Sequence, residues 1–357
     1  MLPFKSIAKE STLFRDVVIE RVTEETQEAK TFVLRPATGS LRFEAGQFLT
    51  FVFRSRRGVE RRSYSISSSP EAGEPLAVTV KRIPNGEFSR PLLEAAEPGD
   101  RLTIAGGSSG FFVLPKDMTP FNQVILLAAG SGIGPVFSLL KSLLIKFPEI
   151  RVLLVYSNRS PETTIFKKDL LAWEARHPGQ LEIRWLFSNS QDLWKARLNK
   201  LVLQQILNER VTGSPERTLV YLCGPFDYMR MAPIVLQAHG IPPANIRREV
   251  FTPFVPVKEL RPPDTLAHQV TIRMVDQLHT TRVQYPESIL AAFRRQGIEL
   301  PYSCEAGRCG SCVATCTSGT VWMKFNEVLT EEEVRKGRVL ICNGFPVGGD
   351  VSIDFHS

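Results

Sequence analysis

Ten residues from Ser303 to Cys312 carry three thiols in the order Ser-Cys-Glu-Ala-Gly-Arg-Cys-Gly-Ser-Cys. Cys304, Cys309 and Cys312 form a C-x4-C-x2-C pattern, and Cys342 follows after 29 intervening residues. Thiolates at this spacing suit a [2Fe–2S] cluster, where one loop wraps three sulfurs around two irons and a distant segment brings the fourth. Gly307 and Gly310 let loop N–H groups turn toward the sulfurs in backbone conformations that a Cβ disfavours. A structural zinc site and inert core thiols are the alternatives, although zinc takes two C-x2-C-like pairs rather than a triplet. Cys316 lies four residues after Cys312, too near to be the distant ligand.

A second constellation is Arg62-Ser63-Tyr64-Ser65-Ile66-Ser67. On an extended strand, alternation puts Arg62 and Tyr64 on one face, a cation beside a large ring, suited to a phosphate and a flat heterocycle. A solvated arginine on an edge strand is the plainer reading. Gly86-Glu87-Phe88-Ser89 then opens a short helical stretch, Ser89 to Ala95, where free N–H groups and a hydroxyl face an anion. A third is Gly130-Ser131-Gly132-Ile133-Gly134-Pro135, directly after the apolar run Val124–Ala129 and before a helix over about Val136 to Phe147. Strand, glycine turn and helix together suit a dinucleotide diphosphate, even with Pro135 where the usual motif has its last glycine. Arg159, after the strand Val152–Tyr156, occupies the place that accommodates a 2′-phosphate, with Lys167 and Lys168 nearby. That position favours NADPH over NADH, with a solvated loop arginine as the plainer reading. Cys223-Gly224-Pro225 ends the strand Leu219–Leu222, where such sheets line their ligand crevice; a buried free cysteine is the commoner role.

The elements that must position these residues fall into three styles. Residues 14–117 read as short β-strands with regular turns, a small antiparallel barrel. Residues 118–253 alternate apolar strands with helical patterns, the signature of a parallel α/β sheet. Residues 254–265, with Pro256, Pro262 and Pro263, read as a linker. Residues 266–357 hold the cysteine loop, strands over Gln269–Met274 and Thr281–Tyr285 before it, a helix over Ser288 to Arg295 and a strand Val339–Cys342 after it. A chain of 357 residues, 43% hydrophobic and 23% charged, has room for several cores. It shows neither a signal-peptide core nor an apolar run long enough for a membrane span. Its net charge of +7 divides into −1 for residues 266–357 and +8 before them. A basic body suits anionic nucleotides; without basic blocks interleaved with aromatics, nucleic acid is not expected as a partner. Cysteines spaced as ligands point to a reducing cytoplasm.

In combination these pieces resemble the ferredoxin–NADP reductase superfamily. More narrowly, the chain resembles the reductase components of multicomponent oxygenases with a C-terminal plant-type ferredoxin domain, nearest to the reductases of phenylacetyl-CoA epoxidases. The resemblance covers nearly everything from about residue 14. It implies a multidomain fold: an antiparallel β-barrel for the flavin, a parallel-sheet α/β nucleotide domain and an α+β β-grasp ferredoxin domain. It also implies that Arg62 contacts the flavin diphosphate, that Tyr64 packs on the flavin and that Ser65 approaches its redox-active edge. Gly86, Phe88 and Ser89 match the family's second phosphate-binding turn, favouring FAD over FMN. Gly130 and Gly132 would hold the nicotinamide dinucleotide, and Cys223, Gly224 and Pro225 would border the nicotinamide. Cys304, Cys309, Cys312 and Cys342 match the cluster ligands. The implied activity splits the electron pair of NADPH and passes single electrons to an oxygenase or other acceptor protein. Rival readings are an FMN reductase of a Rieske-type oxygenase and a redox-sensing module without turnover.

Overall fold

A computed structural model describes the chain except residues 1, 3, 12, 56, 57, 212, 252–259, 275, 276, 356 and 357. Positions 254–259 of the expected linker therefore lie outside the described residues. The chain divides into two compact units, Met1–Thr252 and Pro253–Ser357.

The first unit begins with strands β1 (Phe14–Thr26), β2 (Ala29–Pro36), β3 (Phe48–Ser55), β4 (Gly58–Ser65) and β5 (Ala77–Lys81). Helix α1 (Ser89–Ala95) and strand β6 (Arg101–Ala105) follow. They form an antiparallel sheet in the order β4-β3-β6-β1-β2-β5. An antiparallel bridge from Ile66 to Val78 joins the two ends of that order and closes the barrel. Closure removes the free edges that an open sheet exposes. Its core holds Val17, Ile19, Phe32, Leu49, Phe51 and Ile104, all at most 1% exposed.

The same unit continues through β7 (Gln123–Ala129), α2 (Ile133–Lys146), β8 (Arg151–Asn158), α3 (Lys167–Arg176) and β9 (Leu181–Phe187). Next come α4 (Leu193–Ala196), α5 (Lys200–Arg210), β10 (Thr218–Cys223), α6 (Phe226–Ala238) and β11 (Ile246–Glu249). The sheet is parallel, in the order β11-β10-β7-β8-β9. Val124 to Ala128 are wholly buried, as expected of a central strand covered by helices on both faces. Strand order reverses between β7 and β10, so the ligand crevice of such a sheet opens at the carboxyl ends of those two strands.

The second unit has β12 (His268–Met274), β13 (Gln277–Val283), α7 (Ile289–Arg295), β14 (Val313–Ser318), β15 (Val321–Met323), α8 (Glu331–Arg335), β16 (Arg338–Leu340), β17 (Gly344–Pro346) and β18 (Val351–Asp354). Its main sheet runs β13-β12-β18-β14-β16, with β12 and β18 parallel and the other pairs antiparallel; β15 and β17 form a separate ribbon. Helix α7 starts at an N-cap, Ser288, whose side chain accepts from the Ala291 N–H, and it buries Ile289, Leu290, Ala292 and Phe293. Two expectations shift here. The strand expected over Thr281–Tyr285 ends at Val283, and Cys342 lies in the turn two residues past β16 rather than in the strand. The physical reason for the second shift is local: the Ile341 N–H still donates to the Cys312 carbonyl in the register of β14 and β16, but the Ile341 carbonyl accepts from the Leu290 N–H of α7, and the ladder stops there.

Candidate functional site

The two phosphate-type motifs of the barrel meet. Tyr64, on β4, hydrogen-bonds Ser89 at the start of α1, and burial pushes the phenol up to about 12, keeping it neutral. Its ring lies 5.6 Å from that of Phe88, which in turn packs 5.0 Å from Phe53. Phe88 is thus an anchor, 2% exposed, that pins the turn into the barrel core. Gly86 sits in a crowded turn: a Cβ there would displace Ser89 Oγ and lie 3.1 Å from the Ile83 carbonyl oxygen. Arg62 is exposed, 2.6 Å from Glu60 Oε2 and over the Phe53 ring at 5.8 Å.

Beyond β4 the chain is clamped to the nucleotide sheet. Lys141 of α2, 3% exposed, donates to the Ser67 carbonyl at 3.0 Å, pairs with Glu74 and lies 4.2 Å from the Phe137 ring centroid. Ser69 and Ser142 share a hydrogen bond of 2.9 Å, and Ser138 donates to the Ser68 carbonyl. A lysine this buried is tolerable only with its charge and its donors satisfied. The clamp therefore fixes where the end of the Arg62–Ser65 strand lies against the sheet.

At that end Ser65 Oγ stands 3.2 and 3.3 Å from the two carboxyl oxygens of Glu249. Glu249 closes β11 and is in register with Cys223 at the end of β10. Burial raises its carboxyl to about 8, against a smaller opposing pull from Ser65. Sequence reasoning missed Glu249. The only signal was an acidic residue ending the last strand of the sheet, and its partner is 184 positions away.

The glycine turn after β7 is a single 3-10 turn, Gly130–Gly132, running into α2. Gly130 has φ +55°, and its carbonyl accepts from the Tyr156 hydroxyl at 3.0 Å. A Cβ on Gly132 would strike the Cys223 carbonyl oxygen and lie 2.7 Å from its carbon, so only glycine lets the turn reach the neighbouring strand. Lys81 of the barrel is a second missed residue, its Nζ 3.8 Å from where a Cβ on Gly130 would stand. The Cys223 thiol is fully buried beneath this turn, and burial pushes it well above its ordinary range. Gly224 packs against Tyr228 and Ala129, and Pro225 is the N-cap of α6. Arg159 is exposed just after β8, its carbonyl accepting from the Asn189 N–H at 3.1 Å, while Lys167 and Lys168 start α3.

In the second unit the four cysteines of the expected ligand set lie in two contacting pairs, Cys304 with Cys309 and Cys312 with Cys342. Hydrogen bonding from Cys309 and from loop N–H groups lowers the Cys304 thiol to about 6. The Ala306 and Arg308 N–H groups both lie 3.4 Å from Cys304 Sγ. Gly307 and Gly310 have φ of +72° and +77°, the conformations that turn these donors inward. Among the described residues no three His, Cys, Asp or Glu side chains converge as on one metal ion. Two thiol pairs suit two irons, whereas zinc needs its ligands on a single centre. The donor set and the N–H···S contacts thus fit a [2Fe–2S] cluster. Cys316 instead points its thiol at the Ser318 carbonyl.

Comparison with known proteins matches three family descriptions along the chain. Residues 16–113 match an oxidoreductase FAD-binding domain, 126–233 an oxidoreductase NAD-binding domain and 274–347 a 2Fe-2S iron-sulfur cluster binding domain. The ferredoxin reductase component of 3-ketosteroid-9-alpha-monooxygenase from Mycobacterium tuberculosis is 32% identical over 95% of each chain. A subunit of the Escherichia coli 1,2-phenylacetyl-CoA epoxidase is also 32% identical, over 97% of this chain and 99% of that one. Among solved structures, phthalate dioxygenase reductase superposes with a TM-score of 0.60 at 23% identity, covering 98% of this chain and 100% of that one. An intact type IV self-sufficient cytochrome P450 monooxygenase gives a TM-score of 0.73 at 20% identity, and this chain spans 42% of its length. Both structural likenesses show the fold. Among the described residues no helix is long and apolar enough to cross a membrane.

Proposed function

The chain belongs to the family of FAD-, NAD- and [2Fe–2S]-domain reductase components of oxygenases, and from that premise we propose that it is an NAD(P)H-dependent oxidoreductase delivering single electrons to an oxygenase. One observation carries the reading: Ser65, on the barrel strand bearing Arg62 and Tyr64, meets Glu249 beside Cys223 at the carboxyl edge of the nucleotide sheet. When bound, FAD exchanges electrons with a two-electron donor and a one-electron acceptor, and a [2Fe–2S] cluster supplies a one-electron outlet.

The residues divide the work. Arg62 exchanges Glu60 for the flavin diphosphate, a charge-assisted contact. Tyr64 offers a neutral, half-buried ring to the flavin, and the Gly86–Ser89 turn, anchored by Phe88, offers backbone donors to its second phosphate. Gly130, Gly132 and Lys81 receive the nicotinamide dinucleotide diphosphate. Gly224 and Pro225 border the nicotinamide, and Cys223, a neutral thiol, fills the space beneath the turn. Ser65 and Glu249 hold a proton at the edge where the two rings must meet, because a carboxyl near 8 stays largely protonated at neutral pH. Arg159 forks onto the 2′-phosphate, favouring NADPH, with no acidic residue at Ser157, Asn158 or Ser160 to prefer a ribose diol. Cys304, Cys309, Cys312 and Cys342 would hold the cluster, their two contacting thiol pairs supplying its four thiolates. Cysteines kept as ligands suit a reducing cytoplasm. Relatives of equal identity serve different oxygenases, so the acceptor is named by class.

The test is NADPH-driven cytochrome c reduction by the purified protein, with mass measurement of the extracted flavin. Turnover with FAD is expected. FMN in the extract, or flavin and cluster present without turnover, overturns the reading.

A further inference from the structure

Between Gly307 and Cys309 stands Arg308, whose side chain is only 4% exposed. Its Nε lies 3.2 Å from Glu327 Oε2, and the Glu327 side chain is 30% exposed. The segment carrying Glu327 is laced to the cysteine loop at several points. The Glu327 N–H donates to the Gly307 carbonyl at 3.1 Å, and a Cβ on Gly307 would lie 2.5 Å from the Phe325 carbonyl oxygen. Asn343, next to Cys342, donates to that same Phe325 carbonyl at 2.8 Å. Backbone contacts thus already hold the loop to this segment, and a buried guanidinium is not needed for that purpose. Burying an ion pair gains little or no net stability over an apolar side chain of similar volume. The pair is also asymmetric, with the cation inside, on a residue whose own N–H points at Cys304 Sγ, and the anion at the surface.

We propose that the Arg308–Glu327 pair sets the reduction potential of the iron–sulfur centre: Arg308 raises it, and Glu327 holds that effect in check. This rests on the reading that Cys304, Cys309, Cys312 and Cys342 hold the cluster. Reduction adds one negative charge to a centre ringed by thiolates, and a buried cation stabilises that charge where solvent screening is weak. The carboxylate, nearer water, cancels only part of the field.

The experiment is a redox titration of the full-length protein, followed by the electron paramagnetic resonance signal of the reduced cluster, with iron and sulfide assayed in each variant. Arg308→Gln should lower the reduction equilibrium constant severalfold and Glu327→Gln should raise it, at 59 mV per tenfold for one electron. Arg308→Lys should stay near the parent, and the double variant Arg308→Gln/Glu327→Gln should return toward it. A merely structural pair would move both single variants the same way, or neither. If the Arg308→Gln protein fails to load its cluster, the upward shift in Glu327→Gln still decides the matter, and a downward or absent shift overturns the proposal. A parent without iron and sulfide would instead sink the cluster reading itself.

Discussion

The glycine turn after β7 and the cysteine loop of the second unit both depend on glycine, for different reasons. Gly132 is demanded by a neighbour: any Cβ would strike the carbonyl group of Cys223 on the adjoining strand. The turn lies between a strand buried from Gln123 to Ala128 and a mostly buried helix, so its shape is imposed by regular structure. Gly307 and Gly310 are demanded first by their own backbone, at φ of +72° and +77°, and Gly307 also by the nearby Phe325 carbonyl. No helix or strand runs between Arg295 and Val313, and the loop is held by side chains, N–H···S contacts and the Lys324–Glu327 segment. A turn shaped by its scaffold waits for its ligand. A loop shaped by its thiols depends on what those thiols bind.

The largest effect should come from cutting the loop's own support. Cys342→Ser should remove most of the cluster's visible absorption and halt cytochrome c reduction, while NADPH still bleaches the flavin, because that step uses only the first unit. Metal binding contributes to folding where a site has little scaffold, so the second unit should also unfold at lower temperature. Should Cys316→Ser abolish the cluster and Cys342→Ser leave it intact, the ligand set is wrong.

On the scaffolded side the matching lesion is Gly132→Ala. Displacing the turn by about 1 Å should cost roughly a hundredfold in kcat/KM for NADPH while flavin and cluster contents stay at parent levels. Gly134→Ala is the control: no heavy atom lies within 4 Å of where its Cβ would stand, and φ is not positive, so kinetics should hold and stability should be unchanged or rise by about 0.4–1 kcal/mol. Equal losses in the two variants would mean that close approach to Cys223 is not what the turn requires.

The same contrast explains what was legible in the sequence. Ligands for one cluster must sit a few residues apart on one loop, so Cys304, Cys309 and Cys312 announce themselves by spacing. Val124–Ala129 followed by glycines reads as a buried strand and turn because the period and the breaker are both local. Ser89 and Tyr64 were readable as separate motifs, though their hydrogen bond was not. Glu249 and Lys81 were illegible, since each acquires its place only when the barrel docks on the sheet, across 184 residues in the case of Ser65 and Glu249. Arg308 was visible within the loop, but nothing in the sequence marks it as buried.

Arg159 probes a position outside both turns, so its effect should be smaller and selective. Loss of a charged hydrogen bond costs about 1.5–3 kcal/mol, or roughly ten- to a hundredfold in kcat/KM for NADPH. NADH lacks the phosphate, and its kinetics should barely change in Arg159→Ala. Lys167 and Lys168 offer weaker, less directional compensation. An unchanged ratio of the two specificities would leave Arg159 a solvated loop residue.

The smallest effect on turnover should come from Glu249→Gln, whose readout is stability and which asks whether the scaffold beside Cys223 carries a protonated carboxyl. The folded protein holds this proton up to about 8, whereas an unfolded glutamate releases it near 4.5. Between those values the folded state binds more protons than the unfolded one, so this group's contribution to stability falls as pH rises. It is fully present below about 4.5 and is lost as pH climbs through about 8. The amide of the Glu249→Gln variant would mimic the protonated form at every pH. Thermal midpoints of parent and variant should therefore coincide near pH 5, separate in favour of the variant toward pH 8, and run parallel above it. Other titrating groups are common to both proteins and cancel in the difference. Each kcal/mol released corresponds to about 2–4 °C for domains of 150–250 residues, within reach of calorimetry. A difference that stays constant from pH 5 to 9 would mean that Glu249 is ionised throughout, and the proton at Ser65 would need another source.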